Sequence, residues 1–464
     1  MPYMVIVLLV CTACTTTQDI NLPQQNAPEF STSGTAALED EWWVSFEDER
    51  LSSHIQKGLE NNFSLAAAWD RVRAAKALAR RESADLYPDL NLGTSADREF
   101  DDDAQDSSTF EFGPEASYEV DLWGRIRAIS DAETLRAQAT REDYRTAALI
   151  LSGDIAITWY RLIEAHAQLD LLNRQIDTNE KVLEVLRARF GAGQVRSQDI
   201  LRQQLLIEAI REDVIAFESR IDVLEHQLAV YQGLAPQSAK YTNKRDLPTL
   251  PKRPDAGIPA NLIQRRPDIR RAYYNIQAAD KDLAAAIRDR YPSLLLSASY
   301  LSETATAANL FSTWIATIAG SLIAPIIDGG ERRAEVERSK AVKSELVNQY
   351  GQEVLEAFEE VENALIREKK QIERIDNLDN RLAIAKDTFD QIQTGYFNGA
   401  NEYIAVLSAL NEMQQIERNL LLAKRNLIEF RIALYRSLAG SFETPHENNN
   451  IKTAQQKSTE NPDE

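Results

Sequence analysis

The stretch Ile207-Glu208-Ala209-Ile210-Arg211-Glu212-Asp213-Val214-Ile215-Ala216-Phe217 opens a run in which apolar residues return by threes and fours. Ile207, Ile210, Val214, Phe217, Ile221, Leu224, Leu228 and Tyr231 keep a seven-residue repeat without a break. That spacing suits helices winding left-handedly about each other. The run is written twice. A step of 206 residues gives Met413, Ile416, Leu420, Ala423, Leu427, Phe430, Leu434 and Ser437, apolar at all but the last.

A second seam lies upstream. Leu162, Ala165, Leu169, Leu172, Ile176, Leu183, Leu186 and Phe190 continue the pattern, with Asn179 in one slot. Its counterpart starts polar, at Glu368 and Gln371. It then runs apolar through Ile375, Leu378, Leu382, Ala385, Phe389, Ile392 and Tyr396. The shared seam is therefore expected distally and lost near its start. Tyr87-Pro88 recurs as Tyr291-Pro292, and Gly124-Arg125-Ile126-Arg127-Ala128 aligns with Gly330-Glu331-Arg332-Arg333-Ala334. A period this long is a duplicated domain-sized unit.

Proline marks the same units. None occurs between Pro114 and Pro236 or between Pro325 and Pro445. Proline breaks helix interiors, so these are two long helical regions. Gly191-Ala192-Gly193 and Asn398-Gly399-Ala400 divide each into two antiparallel helices, glycine supplying the left-handed turn. A bundle of ordinary amphipathic helices is the alternative; two seams in matching register favour coiled pairs. A helix from Gly124 to Phe190 would reach about 100 Å.

Ahead of each long region the period changes to two. Leu90, Leu92, Thr94 and Ala96 alternate with Asn91, Gly93, Ser95 and Asp97, and Thr109 to Val120 returns. In the second unit Leu294, Leu296, Ala298 and Tyr300 share a face, and residues 312–324 return. These predict β-hairpins at 88–120 and 292–326. A membrane helix over Thr304–Ile327 is the rival, since 24 uncharged residues can span. The matching place in the first unit carries Glu111, Glu115 and Glu119, which argues against it. Strands in a bilayer cannot leave open edges. Four strands fall short of the eight of the smallest single-chain barrels, so membrane hairpins would require several copies.

The N-terminus is uncharged through residue 18, with an apolar core from Val5 to Val10. It is too short to span as a helix and fits a secretory signal. Both cysteines fall in Cys11-Thr12-Ala13-Cys14. The spacing also suits a redox pair or half a zinc site, but no second pair exists. The segment resembles a bacterial lipoprotein signal, with Cys14 as the lipidated first residue of the mature chain and Cys11 where Leu is usual. Acyl chains there would anchor it to a membrane.

Across its 464 residues the chain carries 52 Lys+Arg against 72 Asp+Glu, a formal charge of −20. That excludes sequence-independent nucleic-acid binding, which needs a basic face. The four histidines show no metal spacing, so surface or packing roles are expected. Asp101-Asp102-Asp103 lacks the EF-hand pattern and suits a solvated outer loop. No acid–base, nucleophile or phosphate-loop pattern appears, so no enzyme, metal or cofactor is expected beyond a covalent lipid at Cys14.

Several short stretches in order carry a family resemblance. They are Trp42-Trp43 with Phe46, Tyr118-Glu119-Val120-Asp121-Leu122-Trp123-Gly124-Arg125, Arg265-Arg266-Pro267-Asp268-Ile269-Arg270, Asp328-Gly329-Gly330 and Ala357-Phe358-Glu359-Glu360-Val361-Glu362. From Trp42 to Gly440 the chain resembles TolC-type outer-membrane efflux proteins, of the lipoprotein branch serving resistance–nodulation–division pumps. The resemblance implies a mainly α fold with membrane β structure. In it, a homotrimer builds a twelve-stranded outer-membrane β-barrel continued by a periplasmic α-barrel.

The resemblance also implies an export channel for small molecules such as drugs, working with a periplasmic adaptor and an inner-membrane pump. The adaptor would meet the tips near Gly191, Gly193, Gly395 and Gly399. At Gly395-Tyr396-Phe397-Asn398-Gly399 and the helix after it, the family's constriction maps to Glu402, Tyr403, Ile404 and Ser408. Ile404 matches an apolar gate position. Ser408 stands where family members often have Asp, and Glu402 is either a substitute acidic ring or a first-turn residue favoured by the helix dipole.

Domain bounds follow. A signal peptide occupies 1–13 and a lipoprotein extension 14–50. The first repeat takes 51–235, an equatorial linker 236–258, the second repeat 259–440 and a polar tail 441–464, expected to be disordered from Glu443. An exit duct for type I protein secretion is the alternative transport function. A periplasmic coiled-coil scaffold is the alternative of another class.

Overall fold

A computed structural model describes residues 30–31, 40–100, 107–238, 240–241, 246–256, 263–438 and 440–447. The signal, Cys14, the Asp101 to Asp103 triplet and the tail beyond Glu447 lie outside the described residues. In the first repeat, α1 (Glu49–Asn61) and α2 (Phe63–Ala84) lead to strands β1 (Asp89–Glu99) and β2 (Ser107–Val120). Helices α3 (Arg125–Gly191) and α4 (Ser197–Tyr231) follow. The second repeat gives α5 (Pro267–Arg288), β3 (Ser293–Thr304), β4 (Ile315–Ile323), α6 (Glu331–Phe397) and α7 (Tyr403–Leu438). Both long helices, α3 and α6, have 67 residues, about 100 Å. The membrane-helix rival over Thr304–Ile327 fails: that segment is a strand end, a turn and β4.

The helical segment before the first hairpin is broken in two. Asn62 ends α1 and starts α2, its side chain accepting from the Leu65 N–H. Its Nδ2 donates to the Tyr231 carbonyl (3.0 Å) and ties the break to the end of α4. An Asn at a helix start satisfies a donor that the helix itself cannot.

The four strands form one antiparallel sheet in the order β1-β2-β3-β4. Each repeat supplies one hairpin, and the hairpins join through β2 and β3. At that join Gly113 passes the Tyr300 carbonyl so closely that an added Cβ would lie 2.1 Å from its oxygen.

The main core lies midway along the helices. The short 3₁₀ turn Trp42–Phe46 is buried there, with Trp42 stacked on Tyr435 at 5.8 Å and donating to Ser152 Oγ. The end of the N-terminal extension is thus part of the core. The tail also starts ordered, contrary to the expectation of disorder from Glu443 onward. Phe442 packs on Trp43 at 5.0 Å, and Thr444 accepts from the Tyr144 hydroxyl (2.7 Å). Glu447 pairs with Arg141 and Arg145. An aromatic ring and one buried carboxylate hold a segment whose average composition is polar.

The second-repeat seam is not lost near its start; it stays buried and turns polar. Glu368 is fully buried and chelated by Arg431 (2.8 and 2.9 Å) and Arg253 (2.9 Å). Arg431 also donates to the Pro251 carbonyl, so this ion cluster fastens the linker to α6 and α7. Gln371 donates to the Ala423 carbonyl (2.8 Å). Farther along, Ile375, Leu378, Ile416, Leu420 and Ala423 form the apolar seam the repeat predicts.

Candidate channel wall and gate

Alternation along the paired strands sorts the sheet into two faces. One carries Leu90, Leu92, Phe112, Ala116, Tyr118, Val120, Leu294, Leu296, Ala298, Tyr300, Ile318 and Leu322, in register across all four strands. Several of these are wide open: Ile318 is 88% exposed and Leu90 74%. The other face carries Asp89, Asn91, Ser95, Asp97, Glu111, Glu115, Ser117, Glu119, Ser297, Ser299, Thr317 and Ser321, with Leu295, Leu301, Ile315 and Ile323 interspersed on β3 and β4. Glu111 lies opposite Glu303, and Glu119 is paired with Arg125 at 2.7 Å.

Aromatic rings collect at both ends of the apolar face. Phe112, Tyr300, Phe311 and Trp314 cluster at the end away from the helices, with Tyr300 and Trp314 stacked at 4.9 Å. At the helical end Trp123 packs on Tyr291 (5.2 Å) and donates to the Pro292 carbonyl (2.7 Å). An apolar band with aromatic girdles and a polar reverse side is the wall of a membrane barrel. Trp123 is packed in place there, while Tyr118 sits on the apolar face.

The wall is unfinished within one chain. Among the described residues β1 pairs only with β2 and β4 only with β3, so both outer edges keep backbone groups unpaired by these residues. In a bilayer each such group costs several kcal/mol.

At the far ends of the long helices the two turns repeat each other. Gly193 and Gly399 adopt left-handed φ of +73° and +78°. Gly193 donates to the Phe190 carbonyl, and Gly399 to that of Tyr396. Gly395 has a different reason to lack a side chain: an added Cβ would lie 2.3 Å from Asn401 Nδ2. Around Gly191 there is open space.

The four gate candidates divide. Ile404 and Ser408, one helical turn apart, share an exposed face of α7, and Ser408 Oγ donates to the Ile404 carbonyl (2.9 Å). Glu402 is exposed beside them, immediately before α7. Tyr403 points away from them and is buried against Leu186 and Val406. Its phenol donates to Gln203 on α4. Sequence periodicity missed Gln203, because one polar residue within a coil reads as solvent-facing. The Arg189 guanidinium lies 4.8 Å from the Tyr396 ring centre and binds the two tips.

The profile of the outer membrane efflux protein family matches residues 54–234 and again 258–440, one match per repeat. The pyoverdine export outer membrane protein OpmQ of Pseudomonas aeruginosa is 30% identical over 427 residues, 87% of this chain and 88% of OpmQ. The cation efflux system protein CusC of Escherichia coli is 26% identical over 460 residues, 94% of this chain and 98% of CusC. In fold, the outer-membrane channel OprN superposes with a TM-score of 0.83 at 24% identity, covering 90% of this chain and 98% of that one. The chain belongs to the outer membrane efflux protein family and is a channel of the outer membrane, not an enzyme.

Proposed function

We propose that three copies of this chain close into one duct carrying small molecules across the outer membrane, fed by a periplasmic adaptor and an inner-membrane pump. The observation that carries this reading is the open-edged sheet, apolar on one side and polar on the other, continuous with helices about 100 Å long. Three copies give twelve strands and leave no edge. The stoichiometry is the one the family resemblance implies.

Cys14 is the lipid attachment point in this reading. Phe30 packs on Phe358 at 6.1 Å, and the Ser31 N–H donates to Glu362. From Phe358 back to the start of α6 is roughly 40 Å of helix. The chain between Cys14 and Phe30 spans about 50 Å when extended. An acylated Cys14 can therefore reach the membrane from that anchorage.

The gate is the exposed face of α7 bearing Ile404 and Ser408, with Glu402 at its lip. Adaptor contact falls to the tip turns around Gly193 and Gly399. The cargoes in the relatives' names, pyoverdine in one and cations in another, differ so widely that cargo choice sits in the pump. Purified protein in planar bilayers is expected to show a large pore that opens rarely, and cross-linking a trimer. A stable monomer without current under any gate substitution overturns the reading. Cys14→Ser is expected to abolish acyl labelling; unchanged labelling removes Cys14 as the anchor.

A further inference from the structure

Helix α5 starts where α7 ends, and Arg266 before α5 donates to the Ser437 carbonyl at the end of α7 (3.3 Å). The junction is open on one side. A pocket of about 480 Å³ lies there, lined from α3, α5, α6 and α7. Its size suits a small molecule. The pocket faces away from the main core. On α3 it is lined by Thr146 and Ile150, roughly opposite Ala148 and Ile155 of that core. On α6 it is lined by Glu360 and Arg367, roughly opposite Phe358 and Glu362, which take Phe30 and Ser31. Among the described residues, none from the Trp42–Phe46 turn, the linker or the tail lines it. In a closed duct those segments girdle the outside, and the pocket opens on the bore.

Its charges are unevenly matched. Three guanidiniums, of Arg266, Arg367 and Arg436, face two carboxylates, of Asp268 and Glu360. Arg266 is buried and holds both carboxylates: Asp268 through two bonds (2.6 and 3.1 Å) and Glu360 through one (2.7 Å). Arg367 is exposed and has no ion-pair or hydrogen-bond partner among the described residues. Arg436 meets Asp154 at 3.6 Å, too far for a hydrogen bond. Gly153 gives Arg436 its place. An added Cβ there would lie 2.3 Å from Arg436 Cδ, so the arginine stem crosses α3 over bare backbone. Glycine weakens a helix interior, and here the open space goes to one side chain. Leu149, Ile150, Pro267, Phe430 and Ala433 give the pocket an apolar floor. Guanidiniums bind carboxylate, sulfonate or phosphate through charge-assisted hydrogen bonds. An apolar floor beside two such groups fits a molecule with a hydrocarbon body and one acid group.

We propose that this pocket is a binding site in the wall of the bore for small amphiphilic organic anions. Arg367 and Arg436 take the acid group, the apolar floor takes the body, and Gly153 is the positioning residue for Arg436. The proposal rests on the channel reading above. The chain as a whole carries −20, so a cationic pocket is a place where a passing anion is held and not repelled.

The test uses trimers of the full chain in lipid nanodiscs, with naphthoate as probe and the cation naphthylmethylammonium as its control. Calorimetry is expected to show naphthoate binding that weakens about tenfold or more in Arg367→Gln, the value of a hydrogen bond to a charged group. The ammonium signal is expected to be the same in wild type and variant. Gly153→Ala is expected to weaken naphthoate binding as Arg436→Gln does, because both withdraw the same guanidinium. In planar bilayers naphthoate is expected to reduce the open-pore current of wild type and not that of Arg367→Gln. Equal naphthoate affinity in wild type and Arg367→Gln overturns the site and leaves the channel reading standing. An equal loss for the ammonium overturns selection for anions. Binding without any effect on an open pore overturns the place on the bore. A wild type that never conducts overturns the channel reading, and calorimetry still decides whether the pocket holds the anion. Where Arg436→Gln or Gly153→Ala does not assemble, Arg367→Gln decides, since Arg367 is exposed.

Discussion

Helices α3 and α6 are the same element written twice, and they live in different surroundings. Each has 67 residues, starts after a left-handed glycine and ends in the same turn. Yet α3 is buried over most of its first 40 residues, while α6 leaves Leu355, Ile366, Ile372 and Ile384 exposed. The sheet order explains the contrast. α3 continues the inner strand β2, with neighbours on both sides, whereas α6 continues the edge strand β4. Duplication supplies the backbone, and place in the sheet order decides which copy finds its cover within the chain. The edge copy is finished only by another molecule.

The sharpest difference between the copies is at one seam position. Leu162 in α3 is packed in hydrocarbon; its counterpart Glu368 in α6 is buried between two guanidiniums. Glu368→Ala strands Arg431 without its anion, an effect of about 3–5 kcal/mol. Leu162→Ala leaves a cavity, about 2–4 kcal/mol. Melting followed by helical circular dichroism is expected to rank them in that order. Adding Arg431→Leu to Glu368→Leu should recover most of the loss. A Glu368→Ala protein as stable as wild type would break the contrast between the halves.

The two faces of the sheet offer the next comparison. Ile318 and Ala319 are adjacent on β4 and point to opposite sides. Ile318→Arg places a cation toward lipid and is expected to lower stability by about 2–4 kcal/mol in vesicles. Ala319→Arg faces the acidic wall and is expected to change unfolding little while shifting ion selectivity toward anions. Equal unfolding of the two variants would overturn the assignment of the faces.

Much of this was legible in the sequence, because it rests on periodicity. The 206-residue echo, the switch between periods of two and seven, and the proline gaps give the hairpins, the long helices and both tip turns. The polar features were less legible, and for a common reason. Glu368, Gln371 and Gln203 look like solvent-facing residues, and Asn179, though in a seam slot, shows no partner, since a heptad records which side faces inward but not what lies across. Glu368 needs Arg253 from the linker, and Gln203 needs Tyr403 two hundred residues away. Tyr403 was found by resemblance as part of a gate. The packing buries it against α3 and α4 and leaves Ile404 and Ser408 exposed.

Acid separates the two repeats more gently. His54 on α1 sits between Trp159 (4.7 Å) and Tyr241 (5.2 Å), against the first repeat's seam. Burial, reinforced by Lys57, lowers its pKa to about 4 despite Asp48 and the Gln232 hydrogen bond. The folded protein therefore keeps this ring neutral while the unfolded chain protonates near 6.5. Its stability contribution is whole above pH 6.5 and falls as pH drops toward 4, because the unfolded state takes up the proton first. The ring is part-exposed, so screening reduces the full linkage to about 1–2 kcal/mol. At Glu368, burial pushes the pKa up, but Arg431 and Arg253 outweigh it and hold the carboxylate below its ordinary 4.5. Its contribution is whole above that value and lost only in stronger acid. Between pH 6.5 and 4.5 the first repeat should weaken while the Glu368 cluster holds. The melting temperature of His54→Gln is accordingly expected to fall less than that of wild type from pH 7 to 4.5. Parallel curves would show that the His54 ring takes up its proton as readily in the folded chain as in the unfolded one.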